Sequence, residues 1–188
     1  MSASDNDTYL GDAGVNNQFA DFDGGDDLFI GFGGNDSFVG GGGNDYVIGG
    51  DGDDRLTGGA GDDILRAGTG NDYLGGGTGN DLLLGLLGDN KLNGGVGEDI
   101  LVAGSGDNVL VGGSNGDKFV FTDKFGGHGE AKVVDFTIGE DSLHIISDSV
   151  TDCGRQQPVG EGIFDENYGN GYVNIVRALL AVDYADMN

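Results

Sequence analysis

Between residues 22 and 111 one apolar side chain returns every nine residues: Phe29, Phe38, Val47, Leu56, Leu65, Leu74, Leu83, Leu92, Leu101 and Leu110. A fixed period of this size marks a stacked repeat rather than an ordinary helix or strand run. With each unit numbered from Phe22, the apolar residue is position 8. Position 4 is glycine throughout (Gly25, Gly34, Gly43, Gly52, Gly61, Gly70, Gly79, Gly88, Gly97, Gly106). Position 6 is Asp27, Asp36, Asp45, Asp54, Asp63, Asp72, Asp81, Asn90, Asp99 and Asn108. Each unit predicts six turn-forming residues, with glycine where positive φ excludes a Cβ, and then a three-residue strand such as Arg55-Leu56-Thr57. The middle strand residue points in and its neighbours point out. Two units make one coil, so turns stack on alternate sides and units n and n+2 become neighbours. The expected fold class is all-β.

Separating the turns by side exposes two asymmetries. Side A, with turns starting at 22, 40, 58, 76 and 94, carries Asp27, Asp45, Asp63, Asp81 and Asp99 at position 6. Side B, with turns starting at 31, 49, 67, 85 and 103, carries Asp36, Asp54 and Asp72, then Asn90 and Asn108, and replaces a position-2 glycine with Leu86. The outward strand positions also differ. After side-A turns they are Leu28, Ile30, Tyr46, Ile48, Ile64, Arg66, Leu82, Leu84, Ile100 and Val102, nearly all apolar. After side-B turns they are mostly polar or small, among them Ser37, Arg55, Thr57, Tyr73, Gly75, Lys91 and Asn93. An apolar patch of that size calls for a cover. Two remain open: the chain's own C-terminal part, or a homodimer or other protein partner.

Composition turns the pattern into chemistry. Glycine accounts for 42 of the 188 residues and proline for 1; 33 acidic residues against 8 basic give a formal net charge of -25. Such a surface repels phosphate backbones, so no nucleic-acid partner is expected, and cations are its natural ligands. The single cysteine, Cys153, allows no internal disulfide. MSASDNDTYL has neither the basic nor the apolar segment of a cleaved leader, and no eighteen apolar residues run together, so neither a signal peptide nor a membrane span is expected. One inward side chain per nine residues makes a thin core, and facing rows of carboxylates repel. Calcium, a hard cation that takes six to eight oxygens, answers both: glycine turns expose carbonyls and aspartate supplies charge.

GGAGDDILR and GGTGNDLLL resemble the GGxGxDxUx nonapeptide of RTX calcium-binding proteins, and the resemblance runs from 22 to 121. It implies a right-handed parallel β-roll with calcium between stacked turns on each side. The ligands it implies are the carboxylates of Asp27, Asp36, Asp45, Asp54, Asp63, Asp72, Asp81 and Asp99 and turn carbonyls at Gly41, Gly43, Gly50, Gly52, Gly59, Gly61, Gly68, Gly70, Gly77 and Gly79. Roughly six or seven ions are expected, four on side A and two or three on side B, where the C-terminal turns bind weakly or not at all. The metal-free chain is expected to be largely disordered and to fold on binding calcium.

Three regions follow: an N-terminal lead-in and cap (1–21), the roll (22–121, closed by a stretched eleventh unit GGSNGDKFVF), and a C-terminal capping region (122–188). AKVVDFTIGEDSLHI (131–145) predicts two strands joined by a turn at Ile138-Gly139-Glu140-Asp141. It also resembles the cap after the roll in secreted RTX proteases and lipases, through Val133, Asp135, Phe136, Gly139, Asp141 and Leu143. Residues 172–185, YVNIVRALLAVDYA, predict an amphipathic helix or a strand followed by a helix, where the resemblance places a type I export signal.

Catalytic patterns are thin. His128 and His144 belong to no HExxH, and Cys153 has no evident histidine partner. Pairs such as Asp53-Asp54 and Asp62-Asp63 are repeat members and read as turn and ligand residues rather than glycosidase acids. The sequence therefore reads as a non-enzymatic, secreted calcium-binding module that serves stabilisation, secretion or interaction. The alternative is a calcium-dependent extracellular polysaccharide-binding module attached to a polysaccharide-modifying enzyme, with a glycan as partner.

Overall fold

The computed structural model describes residues 6–20, 24–122 and 129–146. Sheet A has eight strands in the order β1 (Thr8–Leu10), β3 (Leu28–Gly33), β5 (Tyr46–Asp51), β7 (Ile64–Thr69), β9 (Leu82–Leu87), β11 (Ile100–Ala103), β13 (Lys118–Thr122) and β15 (Ser142–Ile146). Sheet B has seven: β2 (Gln18–Ala20), β4 (Ser37–Gly42), β6 (Arg55–Ala60), β8 (Tyr73–Thr78), β10 (Lys91–Val96), β12 (Asn108–Ser114) and β14 (Ala131–Val133). All pairings are parallel, and each strand pairs with the next but one in sequence, so the chain winds alternately through the two sheets as a β-solenoid. Equivalent residues stack eighteen apart, as in Val47↔Leu65 and Leu56↔Leu74. The helix expected at 172–185, with Cys153 and the export signal, lies outside the described residues.

The strands are longer than the three residues expected. They run to six because positions 1 to 3 continue the ladder, leaving only positions 4 to 6 to turn. Position 2 makes this workable: Gly41, Gly59 and Gly77 pair in register at φ of 107°, 133° and 127°, a region closed to L side chains. A Cβ on Gly59 would strike the Gly41 carbonyl. Phe32 (φ 68°) and Leu86 (φ 62°) occupy the same position in left-handed conformations that cost a non-glycine residue energy.

The ten position-8 side chains are fully buried between the sheets, five stacked along each. Both ends of this core are plugged. At the start Tyr9 and Phe19 pack on Phe29 and Phe38, whose rings stack at 4.9 Å. Tyr9 pairs in register with Phe29 and Phe19 with Phe38, so residues 8–20 already form a coil. At the other end Phe121, Val133, Phe136 and Leu143 close on Phe119. The two strands expected in 131–145 are present, but they enter opposite sheets, β14 beside β12 and β15 beside β13, and form one more coil instead of a hairpin.

The outward face of sheet A carries Tyr46, Ile64 and Ile100, which are 41%, 38% and 37% exposed. The described part of the C-terminal region lengthens this sheet at its edge through β15 and leaves the face itself open. The rest of that region lies outside the described residues.

Candidate cation rows in the turns

Stacking places every position-6 side chain inside its turn, where all ten are at most 3% exposed. Each does one common job. On side A the backbone N–H of Asp27 donates to Asp45 Oδ1, Asp45 N–H to Asp63 Oδ1, Asp63 N–H to Asp81 Oδ1 and Asp81 N–H to Asp99 Oδ1, all at 2.8 Å. On side B Asp36 N–H donates to Asp54 Oδ1, Asp54 N–H to Asp72 Oδ1 and Asp72 N–H to Asn90 Oδ1, also at 2.8 Å. Asn90 N–H then donates to Asn108 Oδ1 at 3.0 Å. Oδ1 thus stitches each coil to the one before it.

The other side-chain atom separates the two rows. In Asp36, Asp54, Asp63, Asp72, Asp81 and Asp99, Oδ2 is buried without a hydrogen-bond partner, a costly state for a charged oxygen. Except in the Asp72 turn, where Ala67 stands at position 1, a glycine there makes room for it: a methyl group on Gly49, Gly58 or Gly76 would run into Oδ2 of Asp54, Asp63 or Asp81. Asn90 shows what these oxygens face. Its Nδ2 donates to Gly85 O (2.9 Å) and Gly88 O (3.2 Å), the carbonyls at positions 1 and 4 of its own turn. Asn108 Nδ2 likewise donates to Gly106 O at 2.9 Å. An aspartate at this position turns a bare oxygen toward the same kind of carbonyl, and a cation is what binds oxygen on both sides. The residues present therefore fit calcium where position 6 is aspartate. Where it is asparagine, the amide protons already satisfy the carbonyls.

Burial pushes the carboxyls of Asp54 and Asp63 up to about 7 and those of Asp72 and Asp99 up to about 6, and it raises Asp81 too. The N–H bond that each accepts from the preceding coil pulls the other way, and neighbouring carboxylates add to the rise. These groups are held in a place that disfavours their negative charge unless a positive one is supplied. Among the described residues no three His, Cys, Asp or Glu side chains gather at one point, so a bound ion has to draw on backbone carbonyls.

The expected turn glycines all lie along these rows. Gly41, Gly50, Gly59, Gly68 and Gly77 at position 2, and Gly43, Gly52, Gly61, Gly70 and Gly79 at position 4, all have positive φ. Their carbonyls point along the roll at the next coil: a Cβ on Gly61 would strike Gly43 O, and one on Gly70 would strike Gly52 O. Position-1 carbonyls, marked by the Asn90 amide, were absent from the sequence expectation. So was Asp117, which is position 6 of the unit starting at Gly112. It accepts from Asp99 N–H at 3.0 Å, its Oδ2 is buried without a hydrogen-bond partner, and burial raises its carboxyl to about 6. Row A ends at Asp141, both of whose oxygens are satisfied by backbone, from Asp117 N–H (2.8 Å) and Thr137 N–H (2.7 Å). Asp135 is satisfied in the same way by Gly112 and Gly113 N–H.

A second, exposed ladder runs at position 5. Asn44 N–H donates to Asp26 Oδ1, Asp62 N–H to Asn44 Oδ1 and Asn80 N–H to Asp62 Oδ1, each at 2.7 Å. Aspartate and asparagine alternate from Asp26 to Asn80 on one side and from Asn35 to Asp89 on the other, which keeps those coils from facing charge to charge, whereas Asp107 and Glu130 then follow Asp89 without an amide between them. The eighteen-residue step would have revealed this alternation in the sequence.

The sequence profile of the family described as RTX calcium-binding nonapeptide repeat (4 copies) matches residues 23–47, 48–83 and 84–119, just over half of the chain. An acetylxylan esterase of Geobacillus stearothermophilus is 47% identical over 47 residues, a stretch that covers 25% of this chain and 21% of that protein. No solved structure matches.

Proposed function

Because the chain belongs to the RTX calcium-binding nonapeptide repeat family, we propose that its roll is a calcium-dependent folding module, secreted and non-catalytic, that takes up roughly six or seven ions. One observation carries this reading: two rows of buried carboxylate oxygens, at Asp54 and Asp72 on one side and at Asp63, Asp81, Asp99 and Asp117 on the other, each without a hydrogen-bond partner. When bound, calcium supplies positive charge and oxygen coordination between consecutive turns. The proposed ligands are the Oδ2 atoms of Asp27, Asp36, Asp45, Asp54, Asp63, Asp72, Asp81 and Asp99, with Asp117 added, and turn carbonyls at positions 1, 2 and 4. The chain's own part is to present these oxygens at the right spacing, keep Oδ1 for coil stitching and close the ends with aromatic plugs. Where calcium is scarce, as inside a cell, the rows repel and the roll opens; in calcium-rich surroundings outside it closes, which suits export followed by folding. The test is circular dichroism during a calcium titration of metal-free protein. Strand signal should grow with calcium and vanish with chelator, and a spectrum already fully folded without calcium sinks the reading.

A second reading is a polysaccharide-binding module attached to a polysaccharide-modifying enzyme. It is favoured by the partial likeness to an acetylxylan esterase and by the outward face of sheet B, which carries an aromatic ring between two cations. Calcium-dependent retention on acidic against neutral glycan columns tests it, and no retention on either removes it.

A further inference from the structure

The outward face of sheet B differs in charge from the acidic turns that flank it, and it is more polar than the apolar face of sheet A. Strand pairing brings Arg55, Tyr73, Lys91, Val109 and Lys132 into one row across β6, β8, β10, β12 and β14. Beside it, Thr57, Gly75, Asn93 and Val111 form a second row. Neither contains a carboxylate, although the chain has 33 acidic residues and only 8 basic ones. The cations sit on alternate strands, about 9.6 Å apart at the usual strand spacing, with Tyr73 and Val109 between them.

The aromatic ring is held in place. The Arg55 guanidinium lies 4.3 Å from the Tyr73 ring centroid, and Gly75 leaves the sheet clear beneath the ring edge, where a Cβ would come within 3.5 Å of Tyr73 Cε1. Beside the ring is an open groove of about 250 Å³, lined mainly by apolar atoms of Tyr73, Lys91, Leu92, Asn93, Val109 and Val111. An aromatic wall, an amide and a cation form a combination that takes a ring with an apolar face, hydroxyls and a negative charge.

We propose that this groove binds a carboxylate-bearing sugar unit of a linear acidic glycan lying along the solenoid axis, with Tyr73 against the C–H face of the sugar, Asn93 to its hydroxyls and Lys91 to its carboxylate. Arg55 and Lys132 meet carboxylates of further units along the chain. The widely spaced cations favour a polymer of low charge density. Nucleic acid carries a phosphate every few ångströms and is repelled by the net charge of -25. The proposal deepens the polysaccharide reading above and needs the calcium reading only for the sheet to be formed.

The test uses the full chain in calcium, titrated calorimetrically with a linear oligosaccharide in which uronic-acid and neutral units alternate, a neutral xylo-oligosaccharide and a single-stranded oligonucleotide. Binding is expected for the uronate alone. Y73A and K91E should each weaken it about tenfold, while their calcium-dependent circular dichroism matches that of the parent; K91E alters only an exposed side chain, so the test does not depend on Y73A folding. Uronate and neutral sugar bound alike, preference for the oligonucleotide, or parental affinity in K91E each overturns the proposal. A spectrum that responds to calcium without uronate binding removes the groove and leaves the calcium reading standing. Uronate binding by a chain whose spectrum ignores calcium does the reverse.

Discussion

Rows A and B are built on the same backbone and part company only at Asn90 and Asn108, by one side-chain atom in each of those turns. Row A accepts coil-stitching hydrogen bonds on carboxylates from Asp27 through Asp45, Asp63, Asp81, Asp99 and Asp117 to Asp141. Row B accepts them on Asp36, Asp54 and Asp72, then on Asn90 and Asn108. Since Oδ1 does the same work in both residue types, stacking coils does not by itself require charge. The second atom decides what fills the turn: a carboxylate oxygen waits for a cation, whereas an amide nitrogen brings its own protons to Gly85 O, Gly88 O and Gly106 O. A repeat can therefore be made dependent on calcium or independent of it, turn by turn.

Removing calcium should break this symmetry most strongly. In metal-free protein, hydrogen exchange is expected to strip protection from the N–H groups of Asp45 and Asp63. Those of Asp72 and Asn90, which donate to amide oxygens, should keep at least about tenfold more, the amide-filled turns being stable by roughly a further 1.4 kcal/mol. Equal loss on both rows would mean the amides do not substitute for the ion. D63A comes next: it deletes the acceptor for the buried Asp45 N–H and an ion ligand together, at an expected cost of about 1–3 kcal/mol, read as a lower thermal midpoint in calcium. D63N should instead lower the calcium stoichiometry while raising the midpoint of the metal-free protein, because its amide can serve Gly58 and Gly61 as Asn90 serves its own turn.

Acid sharpens the contrast further. The Asp54 and Asp63 carboxyls rise from 3.8 to about 7 in the folded roll, so between those values the folded state holds more protons than the unfolded one. Stability of the metal-free fold is therefore fully present below about 4 and is lost as pH rises through about 7. Strand signal in metal-free protein should increase from pH 7.5 to 5, while calcium affinity falls over the same window because protons compete for the same oxygens. A metal-free spectrum that is flat with pH would contradict the burial of these groups. The smallest effect is expected from N90D. It should add about one calcium to the titration and cost the metal-free protein about 1 kcal/mol through lost amide donors.

The roll was legible in the sequence because position 8 never wavers from Phe29 to Leu110, and the contrast between rows was legible because Asn90 and Asn108 fall on the same side. The ends were not. Tyr9, Phe19 and Phe29 are ten residues apart, and the one-residue insertions hide a coil whose pairing is otherwise regular. Asp117 was missed because Asn115 replaces the position-4 glycine, yet Asn115 reaches φ 82°, a conformation asparagine tolerates better than most residues. What filled the amide-bearing turns needed coordinates, since no spacing reveals which carbonyls a side-chain nitrogen will meet.

The two ladders run in opposite senses. At position 6 an N–H reaches forward to the following coil, as from Asp63 to Asp81; at position 5 it reaches back, as from Asp62 to Asn44. The N-terminal end therefore needs an acceptor for Asp26 N–H, which Asn6 supplies, and the C-terminal end needs one for Asp117 N–H, which Asp141 supplies. Like a filament with a plus and a minus end, the solenoid is a polar rod. A second copy meeting it head to head could continue neither ladder, and only head-to-tail addition, with one cap displaced, would extend it.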